Sequence, residues 1–172
     1  MAMRMGNIVG EIKTFSRRPP VERVKVRVAD VIAQAQMMVA PRIRQVGAQI
    51  DVQASSGELS VWADQQRLEQ VLVNLLINAL DAVGEVSDKR ILVRVSDEVS
   101  QVSVCIRDSG EGIPEEVLAH LFEPFFTTKS AGKGLGLGLP ISRMIISELG
   151  GRIEAQNQET GGAQFTVYLE KA

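Results

Sequence analysis

Apolar residues recur at intervals of three and four between residues 65 and 83, and this spacing predicts the longest helix of the chain. Asp64 precedes the segment, where a short acidic side chain can cap the first turn of a helix. The predicted core-facing positions are Leu68, Val71, Leu72, Leu75, Leu76 and Leu80. A face this wide indicates a helix that packs on the core of a globular domain.

Similar periodicities and their stop signals predict four other helices. The predicted segments are 3–18 before Pro19-Pro20, Asp30 to about Val39 before Pro41, a short helix from Pro114, and about Leu139 to Leu149 before Gly150-Gly151. Proline ends a helix because it lacks an amide hydrogen and restricts the residue before it, whereas glycine readily adopts the left-handed conformation of a helix end.

The opening helix, residues 3–18, is too short to be stable alone. Its apolar stripe consists of Met5, Ile8, Val9, Ile12 and Phe15. The stripe therefore needs a partner, which is either the following domain or a longer helical bundle. We favour the bundle, with residues 19–23 as a hinge and residues 24–172 as a separate domain.

Alternating apolar and polar residues predict strands in the remaining segments. These are a strand containing Val24, Val26 and Val28, then Ala48–Val52 and Leu59–Trp62 around a Ser-Ser-Gly turn, Ile91–Val95, Val102–Ile106, Arg152–Asn157 and Ala163–Leu169. Several strands follow one another as hairpins, without the regular strand–helix alternation of a Rossmann fold. The predicted fold class is an α/β sandwich with a mixed sheet and helices on one face.

Composition narrows the class of protein without assigning a function. The chain has 172 residues, of which 45% are hydrophobic and 23% charged, as in an ordinary soluble domain. Its net charge of −2 gives no argument for binding nucleic acid. The single cysteine, Cys105, excludes an internal disulfide. We find no apolar run of the length that a membrane span needs and no signal peptide.

Two asparagines on the long helix are the first candidate chemistry. Asn74 and Asn78 are four residues apart and so share one helical face, and Asp81 lies one turn beyond Asn78. Amide oxygens are hard neutral ligands that suit a magnesium ion already paired with phosphates. The alternative is that both amides only bridge neighbouring backbone groups.

The loop after the fifth predicted strand is the second candidate. Residues 108–114 read Asp-Ser-Gly-Glu-Gly-Ile-Pro, and glycines let the backbone turn tightly against a ligand. Asp108, at the strand end, can accept a hydrogen bond from an exocyclic amine such as that of adenine. An acidic loop before a helix, without ligand, explains this segment alone equally well.

Two further segments complete the set. Residues 121–129 read Leu-Phe-Glu-Pro-Phe-Phe-Thr-Thr-Lys, in which aromatic residues can anchor a mobile lid while hydroxyls and a cation meet phosphate. Residues 132–139 read Gly-Lys-Gly-Leu-Gly-Leu-Gly-Leu and lead into a helix, so that backbone amides and the helix N-terminus can bind an anion. A surface loop and a flexible linker are the alternatives. The alternating leucines disfavour the linker.

In this order, the four segments resemble the N, G1, F and G2 boxes of the GHKL superfamily, which includes gyrase, Hsp90, histidine kinases and MutL. The third and fourth are similar to those of bacterial sensor histidine kinases, and the subgroup they resemble is that of the C4-dicarboxylate transport sensors. The resemblance covers about residues 60–170. It implies the Bergerat (GHKL) fold. Separately, the opening helix (residues 1–18), with Phe-Ser-Arg-Arg at residues 15–18, resembles the end of the second dimerisation helix in such kinases.

The resemblance also implies a site for ATP and Mg²⁺. By similarity, Asn78 ligates magnesium, Asn74 lies near the phosphates and both are catalytic, while Asp108 takes the adenine amine. The implied ATP-binding residues are Asn74, Asn78, Asp81, Asp108, Gly110, Gly112, Ile113, Phe125, Thr127, Thr128, Lys129, Lys133, Gly134, Leu135, Gly136, Gly138 and Leu139.

The function implied by the resemblance is transfer of the ATP γ-phosphoryl group to a histidine on a dimerisation helix outside this chain. The sole histidine, His120, is not in the setting of a phospho-acceptor and is expected to be a satisfied or surface residue. Hydrolytic relatives carry a glutamate at the position of Asn74, and an amide cannot act as a base. A GHKL ATPase and a non-catalytic nucleotide-sensing module remain the alternatives.

The resemblance implies that this chain is a fragment of a longer kinase, called the parent protein below. The implied partners are the dimerisation domain of that parent and a response regulator, with no nucleic acid. We expect the fragment to be monomeric or weakly dimeric. The parent is expected to be an inner-membrane protein, reaching the membrane through segments outside this chain, whose cytoplasmic portion contains the fragment.

Overall fold

The computed structural model describes residues 20–55, 57–128 and 136–172. Their strands are β1 (Val24–Arg27), β2 (Gln49–Ala54), β3 (Ser60–Ala63), β4 (Arg90–Asp97), β5 (Gln101–Asp108), β6 (Arg152–Asn157) and β7 (Ala163–Glu170), and their helices are α1 (Val28–Val46), α2 (Gln65–Ala82), α3 (Glu115–Leu118) and α4 (Gly138–Glu148). The predicted opening helix (residues 3–18) and Pro19, the first residue of the predicted hinge, lie outside the described residues.

A five-stranded mixed sheet, in the order β2-β4-β5-β7-β6, forms one layer. β2 runs parallel to β4, and the other neighbours are antiparallel. Val93, Ile106 and Phe165 lie side by side across three strands and are buried. They share one core with the apolar sides of α2 and α4, which confirms the predicted sandwich with helices on one face.

The helix α2 forms as its sequence predicts. Asp64 is the N-cap, and its side chain accepts a hydrogen bond from the backbone amide of Arg67 at 3.1 Å. All six predicted core positions of this helix are buried. Burial of a leucine side chain contributes about 1.5–3 kcal/mol, so this face is a major stabilising element of the core.

Two boundaries predicted around α1 are wrong. Val28 begins the helix instead of ending a strand, and Pro41 lies inside the helix, which continues to Val46 and ends at Gly47 with φ 74°. A proline inside a helix costs about 3 kcal/mol through its missing hydrogen bond and steric clash. The buried stripe that α1 packs against α2 offsets this cost. Its residues are Val28, Val31, Ile32, Ala35 and Val39.

The strands β2 and β3 follow one another but belong to different sheets. β3 pairs with β1 in a separate two-stranded antiparallel sheet, whereas β2 pairs with β4. A strand pattern in the sequence specifies that a strand forms without naming its partner. In the part of the chain described by the structure, no helix is long and apolar enough to cross a membrane.

Candidate nucleotide-binding site

Asp108, the last residue of β5, is the buried acid of the site. Asp108 is 5% exposed, and its Oδ1 accepts hydrogen bonds from the amides of Gly110 at 3.0 Å and Ala163 at 3.2 Å. Burial raises the pKa of this carboxyl above its ordinary value, and the two backbone hydrogen bonds partly oppose that shift. With Oδ1 satisfied by these two amides, Oδ2 is the oxygen left for a ligand.

The turn between β6 and β7 holds Asp108 in place. Gly162 has φ 82°, and a side chain there would overlap the Asp108 carbonyl oxygen. Gln158 donates from Nε2 to that same carbonyl at 3.0 Å and to the carbonyl of Ala163 at 3.1 Å. The sequence predicted only a turn here, and the paired glycines were the signal that a second backbone approaches closely.

The loop after Asp108 is held between α2 and β6. At Gly110, a Cβ would lie 2.9 Å from the carbonyl oxygen of Ala82, at the end of α2. Asn157 brackets the backbone of Ile113, accepting from its amide at 2.8 Å and donating to its carbonyl at 2.6 Å. Gly112, with φ 86°, lies against the same asparagine. Asn157 was missed by sequence reasoning, since a lone asparagine at a strand end has no distinctive pattern.

Asn74 lies in the middle of α2, about two turns before its C-terminal end, and its side chain contacts the start of α4. Its Nδ2 donates to Ser142 Oγ at 2.8 Å, and a Cβ on Gly138 would lie 2.5 Å from its Oδ1. Only glycine at position 138 allows α4 to begin this close to the amide. Leu139 follows in the first turn of α4 and is partly buried. The structure therefore brings together the asparagine and the end of the glycine-rich segment.

Asn78 and Asp81 lie on the same side of α2 as Asn74. Steps of four and seven residues from Asn74 place the three side chains within an arc of about 60°. Asn78 and Asp81 are both partly exposed. The Asp81 carboxylate is ion-paired with Arg42 of α1, a residue that the sequence did not associate with the site.

Phe125, where the predicted lid of residues 125–133 begins, contacts Gly136 of the glycine-rich segment. The Phe125 amide donates to the Gly136 carbonyl at 3.0 Å, and a Cβ on Gly136 would lie 2.5 Å from the carbonyl oxygen of Phe126. Phe125 has φ 67° and is 73% exposed. Thr127 and Thr128 are exposed on the same segment. Four of the predicted ATP-binding residues, Lys129, Lys133, Gly134 and Leu135, lie outside the described residues.

His120 is a half-exposed residue just before this segment, as expected for a surface histidine. Its Nδ1 lies 2.8 Å from Glu123 Oε1, and its ring centroid is 5.6 Å from that of Phe126.

The helix α2 thus connects the two parts of the candidate site. Its C-terminal end contacts the loop that holds Asp108, and Asn74 contacts α4. Eight residues separate Asn74 from Ala82, about 12 Å along a helix. This arrangement offers a buried acceptor at one end, amide oxygens along the middle, and a helix N-terminus at the other end. Such a series of groups suits a ligand with an amine-bearing ring and an anionic tail.

Comparison with known proteins agrees with this geometry. The family described as histidine kinase-, DNA gyrase B-, and HSP90-like ATPase matches residues 63–172. The C4-dicarboxylate transport sensor protein DctB of Pseudomonas aeruginosa is 39% identical over 170 residues, covering 98% of this chain and 28% of that protein. DctB of Rhizobium meliloti is 36% identical over 169 residues, covering 98% and 27%. The chain thus spans little more than a quarter of these relatives.

Solved structures give the same result. The nucleotide-free catalytic domain of histidine kinase ThkA superposes with a TM-score of 0.77 at 34% identity, covering 87% of this chain and 96% of that one. ThkA in complex with the response regulator TrrA gives a TM-score of 0.81 at 32% identity, covering 99% and 48%. The fold and the motif order are both those expected from the sequence. The chain belongs to the family of histidine kinase-, DNA gyrase B- and HSP90-like ATPases, and within it to the ATP-binding catalytic domains of sensor histidine kinases.

Proposed function

We propose that this chain binds Mg-ATP along the polar side of α2 and presents the γ-phosphoryl group to a histidine on a dimerisation helix of the parent protein. The observation that supports this most strongly is the orientation of Asp108. Two backbone amides engage its Oδ1, so the second oxygen is oriented as an acceptor for the exocyclic amine of adenine. A purine with a carbonyl in place of that amine would place its carbonyl oxygen against Asp108 Oδ2, and two acceptors cannot form a hydrogen bond with each other.

The residues around Asn74 fit magnesium as well as phosphate. The Nδ2 of Asn74 is engaged by Ser142, which turns its Oδ1 toward the start of α4. The described residues contain no cluster of three His, Cys, Asp or Glu side chains that could hold a metal ion. A magnesium ion here would take the amide oxygen of Asn78 together with phosphate oxygens, and it would neutralise charge during phosphoryl transfer.

Transfer is favoured over hydrolysis because of the residue at position 74. A neutral amide cannot remove a proton from water, and this one already donates to Ser142. Phosphoryl transfer needs little from the protein besides positioning and charge neutralisation. The amide therefore suits a domain that delivers its phosphoryl group to an acceptor on another domain.

The partners follow from the same proposal. Residues 1–18 are the end of the dimerisation helix, residues 19–23 the hinge, and the acceptor histidine lies on the part of the parent outside this chain. ThkA has been solved with a response regulator, and we propose a response regulator as the final phosphoryl acceptor here. The fragment is cytoplasmic, in a parent anchored in the inner membrane, and is itself monomeric or weakly dimeric.

The proposal is tested by calorimetric titration with ATP, ADP and GTP, each with and without magnesium. We expect adenine-selective binding that magnesium strengthens. Phosphoryl transfer is then measured with radiolabelled ATP and a separately purified dimerisation domain that carries the acceptor histidine. Absence of nucleotide binding would contradict the proposal, binding without transfer would favour a nucleotide-sensing module, and steady turnover without acceptor would favour an ATPase.

The metal assignment has its own variant. Asn78→Ala is expected to weaken Mg-ATP more than metal-free ATP, by about tenfold, because an oxygen ligand of the ion is lost. Gln66→Ala is the matched control, since it removes an exposed amide from the same helix 12 residues earlier. Equal losses with and without magnesium would remove Asn78 from the metal site.

A further inference from the structure

Asp81 poses an electrostatic problem for the proposed site. Its carboxylate lies on the same side of α2 as Asn74 and Asn78, one turn beyond the proposed magnesium ligand. An anionic side chain so close to a bound polyphosphate would repel it. A site that binds ATP must therefore balance this charge or orient it away from the nucleotide.

The structure balances the charge with a residue from another helix. Arg42, in the second half of α1, donates from a terminal guanidinium nitrogen to Asp81 Oδ1. The Arg42 side chain is 47% exposed and that of Asp81 is 23% exposed, so the pair lies at the surface beside the polar side of α2. A guanidinium has five N–H donors. The pairing with Asp81 leaves Arg42 with donors for a second anion.

The pair contributes little as a fastening between the helices. α1 and α2 already pack through a buried apolar stripe, and exposed ion pairs add little to stability. The pairing instead fixes where the guanidinium lies, since an arginine side chain is otherwise free to sample many rotamers. Planar guanidinium groups bind phosphate oxygens in pairs, which a compact ammonium cannot do.

We propose that Arg42 is a phosphate-facing cation of the nucleotide site, held by Asp81 and supplied by α1. This inference rests on the proposed function and extends it, because it adds a binding residue that lies outside the four sequence motifs. In this arrangement Asp81 acts through Arg42. The pair makes affinity depend on the number of phosphates that the nucleotide carries.

The test compares adenosine, ADP and ATP, which share the base and differ in phosphate charge. Arg42→Ala is expected to lower ATP affinity about tenfold, ADP affinity less, and adenosine affinity not at all, because the loss of a charge-assisted contact exposes the ligand to the Asp81 carboxylate. Arg42→Lys is expected to recover part of the loss. Adding Asp81→Asn to Arg42→Ala is also expected to recover part, since the repulsion is removed.

The matched control is Arg44→Ala. Arg44 is exposed and lies two residues further along α1, so its side chain points about 160° away from that of Arg42 around the helix axis. Removing it changes the net charge of the domain by the same amount. We expect its affinities for all three ligands to equal those of the parent.

Two results would overturn the inference while leaving the proposed function intact. One is an Arg42→Ala variant that binds ATP like the parent. The other is an equal loss for all three ligands together with a lower melting temperature, which would make the pair a contact between helices only. A parent chain that binds no adenine nucleotide would overturn both proposals, and the same titrations identify that case.

Discussion

Replacing Asp108 by asparagine is expected to invert the base preference of the pocket. In the unsubstituted chain, Asp108 Oδ1 accepts hydrogen bonds from the amides of Gly110 and Ala163, at 3.0 and 3.2 Å. An asparagine would keep its one oxygen on these two donors and place its Nδ2 where Oδ2 was. That position would then donate, so it would oppose the adenine amine and suit a purine that has a carbonyl there.

The magnitude follows from the hydrogen bonds exchanged. A hydrogen bond to a charged group contributes about 1.5–3 kcal/mol, which corresponds to roughly a tenfold to hundredfold loss of ATP affinity. The new bond to a purine carbonyl is neutral and is worth about 1 kcal/mol, or several-fold in affinity. The ratio of ATP to inosine triphosphate affinity should therefore fall by about two orders of magnitude.

Competitive titration with ATP and inosine triphosphate measures this ratio directly, and a thermal melt of the unliganded variant is the control for folding. Asp108→Asn keeps both backbone amides satisfied, whereas Asp108→Ala would leave them without an acceptor in a buried site. We therefore expect no lower melting temperature for Asp108→Asn at neutral pH. Unchanged preference for ATP would refute the assigned orientation of Asp108, and an equal loss for both nucleotides would refute the exchange of acceptor for donor.

Three further predictions concern the packing around this site. Gly162→Ala should lower the free energy of unfolding by more than about 3 kcal/mol in chemical unfolding, because position 162 combines a positive φ with overlap at the Asp108 carbonyl. Gly161 has a similar φ but open space around it, so Gly161→Ala should cost about 1 kcal/mol. Similar losses for the two variants would contradict the close approach. Ser142→Ala should lower the free energy of unfolding by about 1–3 kcal/mol and weaken ATP binding, because Ser142 is 1% exposed and accepts a hydrogen bond from Asn74. Unchanged ATP affinity would show that the Asn74 amide needs no positioning by Ser142. Burial raises the pKa of Asp108, so folding favours its protonated form. As pH rises from about 3.9 through the folded-state pKa, the unsubstituted chain should therefore lose stability relative to Asp108→Asn. A stability difference between the two chains that shrinks as pH rises would contradict that direction.

The sequence was sufficient wherever the determining interactions are local. The helix α2, its Asp64 cap and its polar side follow from spacing within 18 residues. Asp108 at a strand end, followed by two glycines, also lies within a few residues. Side-chain periodicity and turn chemistry depend on neighbours along the chain, so they can be read before the fold is known.

The tertiary structure alone decided the contacts that join distant segments. Ala163 donates to Asp108 across 55 residues, and Arg42 reaches Asp81 across 39. Pro41 stays helical because packing on α2 outweighs a local preference that the sequence states plainly. Such pairings depend on how whole elements are arranged, and a strand or helix pattern carries no record of its partner. For this reason most residues of the proposed site could be identified in the sequence, whereas Arg42 and the groups that orient Asp108 were found only in the folded chain.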